Sequence, residues 1–240
     1  MAKGLVIIPT YNEIDNITDI IHKSLCQHTD FEVLIVDDNS PDGTGDIVKT
    51  LKSTNHRIHL IQRSGKLGLG TAYIAGFKYG LDNDFEYIFE MDADFSHNPS
   101  DLIRLYEAAV QGADVVIGSR YIKGGNIKNW SKDRILLSYC ASIYVRIVTW
   151  MPIKDPTAGF ICYKAIVLKS IDLDKIKFVG YSFQIEMKYS AWIKKFKLKE
   201  IPITFIDRVK GNSKMSGNII SEAVKGVIMM RIRSLTGHYK

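Results

Sequence analysis

Tyr87-Ile88-Phe89-Glu90-Met91-Asp92-Ala93-Asp94-Phe95-Ser96-His97 decides how the rest of the chain is read. A mainly apolar run passes without a break into two carboxylates one residue apart. A continuous apolar run, rather than an alternating one, marks a strand buried on both faces. Leu5–Ile8, Glu32–Val36, Arg57–Ile61 and Asp114–Ile117 have the same character. Helical patterns fall between these runs, near residues 13–27, 44–53, 70–82 and 99–111, the last opened by Asn98 before Pro99. Strand and helix therefore alternate over the first 120 residues. That order predicts a single α/β domain with a doubly wound, mainly parallel sheet and right-handed crossovers.

In such a sheet ligands sit beyond the carboxyl ends of the strands. Those ends are unusual here. Pro9-Thr10-Tyr11-Asn12-Glu13 follows the first strand, and Asp37–Thr44 (Asp-Asp-Asn-Ser-Pro-Asp-Gly-Thr) follows the second. Asp92–His97 follows the fourth, and Gly118-Ser119-Arg120-Tyr121 the fifth. Polar and turn-forming residues thus gather at one sheet edge. The second half is less regular. Residues 134–151, Phe183–Lys195 and 218–234 read as helices, Asp155–Phe160 as a turn and Lys199–Ile206 as a strand.

Two carboxylates at a strand exit suit a hard divalent cation, Mg2+ or Mn2+. Asp-x-Asp alone says little, since Asp82/Asp84 and Asp172/Asp174 repeat it in polar surroundings that read as solvated loops. Only Asp92/Asp94 directly follows a buried strand. Asp37 and Asp38 form a second acidic pair. They could receive base or ribose donors, or serve the Ser-Pro-Asp-Gly turn. Gly65–Thr71 fails the P-loop template, because position 60 is Leu and Lys66 precedes Leu67. It also lacks the dinucleotide fingerprint, because the sixth position from Gly68 is Tyr73. It reads as a loop leading into a helix near a nucleotide.

Charge is divided along the chain. Residues 1–119 carry 9 Lys/Arg against 18 Asp/Glu; residues 120–240 carry 23 against 8. A front half that holds a cation and a back half that meets anions would look like this. Arg120, Arg134, Arg208, Lys210 and Lys214 are the candidate anion contacts. Weak interleaving of aromatic and basic residues argues against nucleic acid. Three widely spaced cysteines, Cys26, Cys140 and Cys162, suit a reducing compartment rather than a disulfide framework. No stretch of 18 apolar residues is present, and the apolar run in MAKGLVIIPTYNE is shorter than a signal peptide needs.

Taken in order, Pro9–Glu13, Asp37–Thr44, Gly68–Ala72, Met91–His97, Gly118–Tyr121, Asp155–Phe160, Gly180–Glu186 and Phe205–Lys214 resemble one family. The chain is similar, over residues 4–217, to the dolichyl-phosphate (polyprenyl-phosphate) mannose synthases, family 2 glycosyltransferases of Rossmann-like GT-A fold. The resemblance implies a glycosyltransferase domain over residues 1–217, followed by an amphipathic helix over 218–240. It implies transfer of mannose from GDP-mannose to a polyprenyl phosphate. Pro9, Tyr11, Glu13, Asp38 and Asp92 would hold the nucleotide sugar. Asp92, Asp94 and Ser96 would serve the metal, with Asp94 also catalytic. Arg120, Arg134 and Ser138 would hold the acceptor phosphate, the two arginines also acting in catalysis. Arg208 and Lys214 would hold the donor diphosphate. The chain departs from the family at Ala158 (often Ser), Ile161 (often Arg) and Asp207 (often Glu).

A phosphate acceptor fits the residues independently. Displacement at an anomeric carbon passes through an oxocarbenium-like transition state. A hydroxyl nucleophile needs a general base. A phosphate monoester has a second pKa of about 6 and is already largely dianionic. It needs positive charge instead, which the back half supplies. Alternatives remain: UDP-glucose or another nucleotide sugar as donor, a hydroxyl acceptor with Asp155 or Glu186 as base, or a binding module without turnover. A polyprenyl acceptor also implies a membrane. Residues 135–151 and 219–233 could lie in its interface. The expectation is a peripheral protein on the cytoplasmic face, with a possible membrane-anchoring protein partner.

Overall fold

The computed structural model describes residues 3–178, 180–207, 217–237 and 239. Its centre is a seven-stranded sheet. In chain order the elements are β1 (Gly4–Thr10), α1 (Ile17–Leu25), β2 (Phe31–Asp37), α2 (Thr44–Thr54), β3 (Ile58–Gln62), α3 (Leu69–Asp82), β4 (Tyr87–Glu90), α4 (Asp101–Val110) and β5 (Val115–Ser119). Then come β6 (Asn126–Lys128), α5 (Lys132–Thr149), β7 (Ile161–Lys164), α6 (Ala165–Ser170), a 3-10 turn (Leu173–Lys175), α7 (Tyr181–Ile193), β8 (Leu198–Pro202), β9 (Thr204–Ile206) and α8 (Gly217–Leu235).

The sheet order is β3-β2-β1-β4-β7-β5-β8. The chain winds outward from β1 to β3, then crosses back to β4 on the other side of β1. The switch point between β1 and β4 is where a ligand crevice belongs. All strands are parallel except β7, which inserts antiparallel between β4 and β5. The mainly parallel α/β expectation therefore holds. Two local readings change. The apolar residues after the Asp155–Phe160 turn are a strand, β7. The expected strand over 199–206 divides into β8 in the main sheet and β9, which pairs with β6 in a separate two-stranded ribbon.

Both faces of the sheet are buried because the strands are apolar on both. Leu5 and Ile7 face a core shared with α3 and α7, whereas Val6 and Ile8 face one shared with α1 and α4. Close contact between α3 and the sheet depends on glycine. A Cβ on Gly76 would come within 2.6 Å of Ile7 Cγ2, and one on Gly80 within 2.8 Å of Ile88 Cδ1. At the C-terminus, α8 packs on α5 and α7. Tyr144 Oη donates to the Val224 carbonyl at 2.9 Å, and Val227 and Met230 are buried.

Candidate active site

The exits of β1 and β2 form one polar corner. Asp37 is consumed internally, accepting from Thr10 Oγ1 at 3.0 Å and from Ser40 Oγ at 2.6 Å. Asp42 caps the corner, accepting from the N–H groups of Ile14 and Thr44 at 3.0 Å each. Burial raises its pKa, but these bonds and that of the Thr44 hydroxyl outweigh it and hold the carboxyl below its usual value. Glu13 N–H donates to Thr44 Oγ1 at 3.1 Å. Asp38 behaves differently from Asp37. Arg63, which sequence reading did not single out, donates from Nε to Asp38 Oδ1 at 2.5 Å. The same fork reaches Thr71 Oγ1 at 2.6 Å and the Gly68 carbonyl at 3.3 Å. Gly68 has φ +99°, a conformation that favours glycine. Arg63 thereby ties the Gly65–Thr71 loop to Asp38, and Lys66 Nζ lies 4.7 Å from the Tyr11 ring centroid. Pro9 sits at the end of β1, paired with Val36. Pro9, Tyr11, Glu13 and Asp38 thus border neighbouring strand exits.

Asp92 and Asp94 follow β4 at the switch point. Ser96 N–H donates to Asp94 Oδ1 at 3.0 Å. His97 is buried, stacked on Phe160 with ring centroids 4.9 Å apart, and its Nδ1 accepts the Asp92 N–H at 3.3 Å. Burial pushes the His97 pKa down to about 4, the Arg120 charge adding to the effect, so the ring is a neutral acceptor at pH 7. The Ser96 hydroxyl is buried with no hydrogen-bond partner among the described residues. Two carboxylates and an orphaned hydroxyl fit a hard cation that takes its remaining ligands from water and phosphate oxygens.

The cationic wall faces them. Arg120 forms a bidentate pair with Asp155, with both side-chain bonds at 2.7 Å, and reaches Thr157 Oγ1 at 2.8 Å. Asp155 is fully buried. Burial raises its pKa, but Arg120 more than offsets this and holds the carboxyl below its usual value. Arg134 lies in the first turn of α5, where backbone N–H groups favour anions. It pairs with Asp207 at 2.7 Å and lies 4.0 Å from the Trp130 ring centroid. Arg134 Nε and Trp130 Nε1 are buried donors with no acceptor among the described residues. One turn along α5, Ser138 Oγ accepts from Tyr121 Oη at 2.7 Å.

A cavity of about 490 Å³ unites the two walls. Asp92, Asp94, Ser96, Arg120, Arg134 and Ser138 all line it. Its far end, between α5, α7 and α8, is apolar, bordered by Leu137, Val145, Ile185, Val224 and Val227. Arg208 and Lys214 lie outside the described residues. Neither Asp155 nor Glu186 is among the lining residues. Glu186 accepts from the N–H groups of Lys177 and Phe178 at 2.9 and 3.1 Å and from Tyr239 Oη at 2.8 Å. Both candidate bases are therefore engaged in holding the fold. Of the two departures near β7, Ala158 lines the cavity, whereas Ile161 is wholly buried in the sheet.

Residues 5–172 match the model of glycosyl transferase family 2. This chain belongs to that family. Undecaprenyl-phosphate mannosyltransferase of Micrococcus luteus is 45% identical to this glycosyl transferase over 223 residues, covering 93% of this chain and 91% of the relative. Polyprenol monophosphomannose synthase of Mycolicibacterium smegmatis is 44% identical over 232 residues, covering 96% and 88%. Among solved structures, glucosyl-3-phosphoglycerate synthase from Mycobacterium tuberculosis, bound to Mn2+, UDP and phosphoglyceric acid, gives a TM-score of 0.68 at 14% identity, covering 97% of this chain and 78% of that one. The likeness establishes the GT-A fold for this glycosyl transferase. No helix among the described residues is long and apolar enough to cross a membrane.

Proposed function

We propose that this chain is an inverting glycosyltransferase that moves mannose from GDP-mannose to a polyprenyl phosphate. Two relatives at 44–45% identity over more than nine tenths of the chain bear names of that activity. The observation that carries the reading is the single cavity with Asp92 and Asp94 on one wall and Arg120 and Arg134 on the other. Two phosphorylated reactants need that pairing in order to meet.

Asp92, Asp94 and Ser96 would hold Mg2+ or Mn2+, which would neutralise the donor diphosphate and stabilise the departing nucleotide. Pro9, Tyr11, Glu13 and Asp38 border the place for base and ribose, with Asp38 fixed by Arg63. Arg208 and Lys214 would meet the diphosphate. Arg134 and the first turn of α5 receive the acceptor phosphate, with Trp130 Nε1 offering a further donor. Arg120, clamped by Asp155, gives the same wall a guanidinium that does not move. The acceptor arrives as a dianion, so no side chain need remove its proton. In-line attack on C1 then inverts the anomeric centre. The clamped states of Asp155 and Glu186 disfavour the hydroxyl-acceptor alternative.

The apolar end of the cavity lies between helices that expose Leu136 and Ile147 on α5, Trp150 just after it, and Ile228 and Ile232 on α8. Arg231 lies 4.3 Å from the Trp150 ring centroid. This face would rest in a membrane interface, with the 218–240 segment forming part of it. The free cysteines favour the cytoplasmic side. A membrane-anchoring protein partner is compatible with this placement.

The test incubates purified protein and Mg2+ or Mn2+ with labelled nucleotide sugars and a short polyprenyl phosphate. Label entering the organic phase from GDP-mannose supports the proposal. Transfer from another nucleotide sugar alone, or to a hydroxyl acceptor, overturns it.

A further inference from the structure

Gln184 falls within the Gly180–Glu186 stretch, and its surroundings leave one atom unexplained. The residue lies in α7 and is 4% exposed. Its Nε2 donates to the buried Glu90 carboxyl group, whose pKa burial raises to about 8, through a short bond. Its Oε1 is buried without a hydrogen-bond partner among the described residues, and the side chain lines the reaction cavity. An unpaired buried amide oxygen costs free energy and calls for a specific explanation.

The amide is held by Glu90, and the helix that carries it is fixed on either side. Glu90 receives the NH2 end, which turns the oxygen away from Glu90. Phe183, the preceding residue, stacks on Tyr73 with rings 4° from parallel. Lys188, one turn along α7, is fully buried and donates from Nζ to the Ala158 carbonyl at 2.6 Å, tying α7 to the Asp155–Phe160 turn. Gly159, on that turn, lies beside the amide: a Cβ there would sit in ordinary contact with it, 3.7 Å from Gln184 Nε2. Such pre-organisation is what a recognition group needs.

The missing partner must be a hydrogen-bond donor. A phosphate oxygen would be repelled, and a polyprenyl chain offers no donor. A hexose lodged beside Asp92 and Asp94 offers several hydroxyls. We propose that Gln184 is a sugar-recognition residue, its Oε1 accepting a hydrogen bond from one hydroxyl of the hexose being transferred while Glu90 fixes the amide. The inference rests on the glycosyl-transfer reading and adds the contact by which the sugar, rather than the nucleotide, is selected.

The experiment compares wild type with Gln184→Met by calorimetric titration with GDP and with GDP-mannose in the presence of Mn2+, alongside steady-state kinetics. GDP should bind both proteins equally. GDP-mannose kcat/KM should fall about tenfold in the variant, as expected for one lost hydrogen bond to a buried group. Among monodeoxy GDP-mannoses, one analogue should lose a similar factor with wild type and nothing further with Gln184→Met. If the variant unfolds, Gln184→Asn, which withdraws the oxygen by one methylene, should give the same split. Unchanged kcat/KM for GDP-mannose, equal loss of GDP and GDP-mannose affinity, or full additivity with every deoxy donor would overturn the role, the last pointing to a water at Oε1. Wild type that turns over a different nucleotide sugar would overturn the GDP-mannose reading alone, and the same comparison with that donor then decides Gln184.

Discussion

His97 should make the protein acid-sensitive in a defined window. Its folded pKa is about 4, against 6.5 for the unperturbed ring, with burial the main cause. Between those values the unfolded chain binds a proton that the folded chain refuses. The stability owed to neutral His97 is therefore complete above pH 6.5 and is lost as pH falls towards 4. The full shift corresponds to about 3 kcal/mol, of which about 2.5 kcal/mol is lost by pH 4.5. For a chain of this size that is a fall of roughly 5–10 °C in Tm. Carboxylates titrate in part of the same range, so the informative quantity is the difference between wild type and His97→Gln, in which the titrating ring is gone. Urea unfolding of both at half-unit steps from pH 7.5 to 4.5 measures it. The wild-type curve should lose more stability than the variant, mostly below pH 6.5. Parallel curves would refute the claim that His97 is buried and neutral beneath Asp92.

Asp155→Asn should lower stability by about 3–5 kcal/mol, because it leaves the Arg120 guanidinium buried without its anion; thermal unfolding at pH 7 checks this. Since the folded pKa of Asp155 lies below 3.8, its contribution is present above that value and lost as pH falls through the folded one. Arg134→Gln should abolish most turnover while nucleotide-sugar affinity, read by calorimetry, stays within about twofold, since one charged hydrogen bond to the acceptor is removed and none to the donor; equal loss of both contradicts the assignment. Arg63→Lys keeps the charge but cannot reproduce the fork to Asp38, Thr71 and Gly68, so GDP affinity should drop roughly tenfold with kcat little changed.

How much could be read in advance varied with the range of the interaction. The parallel strands β1 to β5 were legible because burial on both faces writes itself into a continuous apolar run. β7 was not, because its residues follow directly on a turn and become a strand only by pairing with β4 and β5. Asp92, Asp94 and Arg120 could be named from their positions at strand ends, and Arg134 from the family resemblance. Their partners could not. Asp155 lies 35 residues from Arg120, Asp207 lies 73 from Arg134, and Arg63 lies 25 from Asp38. The adjacent carboxylates at 37 and 38 looked alike, and only packing separates the one spent on Thr10 and Ser40 from the one paired with Arg63. Gln184 was the least visible, since its meaning depends on a carboxylate 94 residues away.

The central claim is that one cavity holds a metal-bound nucleotide diphosphate and an acceptor phosphate side by side. A crystal soaked with Mn2+, GDP and a short polyprenyl phosphate tests it directly by anomalous scattering. The account predicts a manganese peak between Asp92 and Asp94, with the lipid phosphate in the same cavity against Arg134 and the first turn of α5. A metal bound elsewhere, or an acceptor phosphate seated outside that cavity, would contradict it.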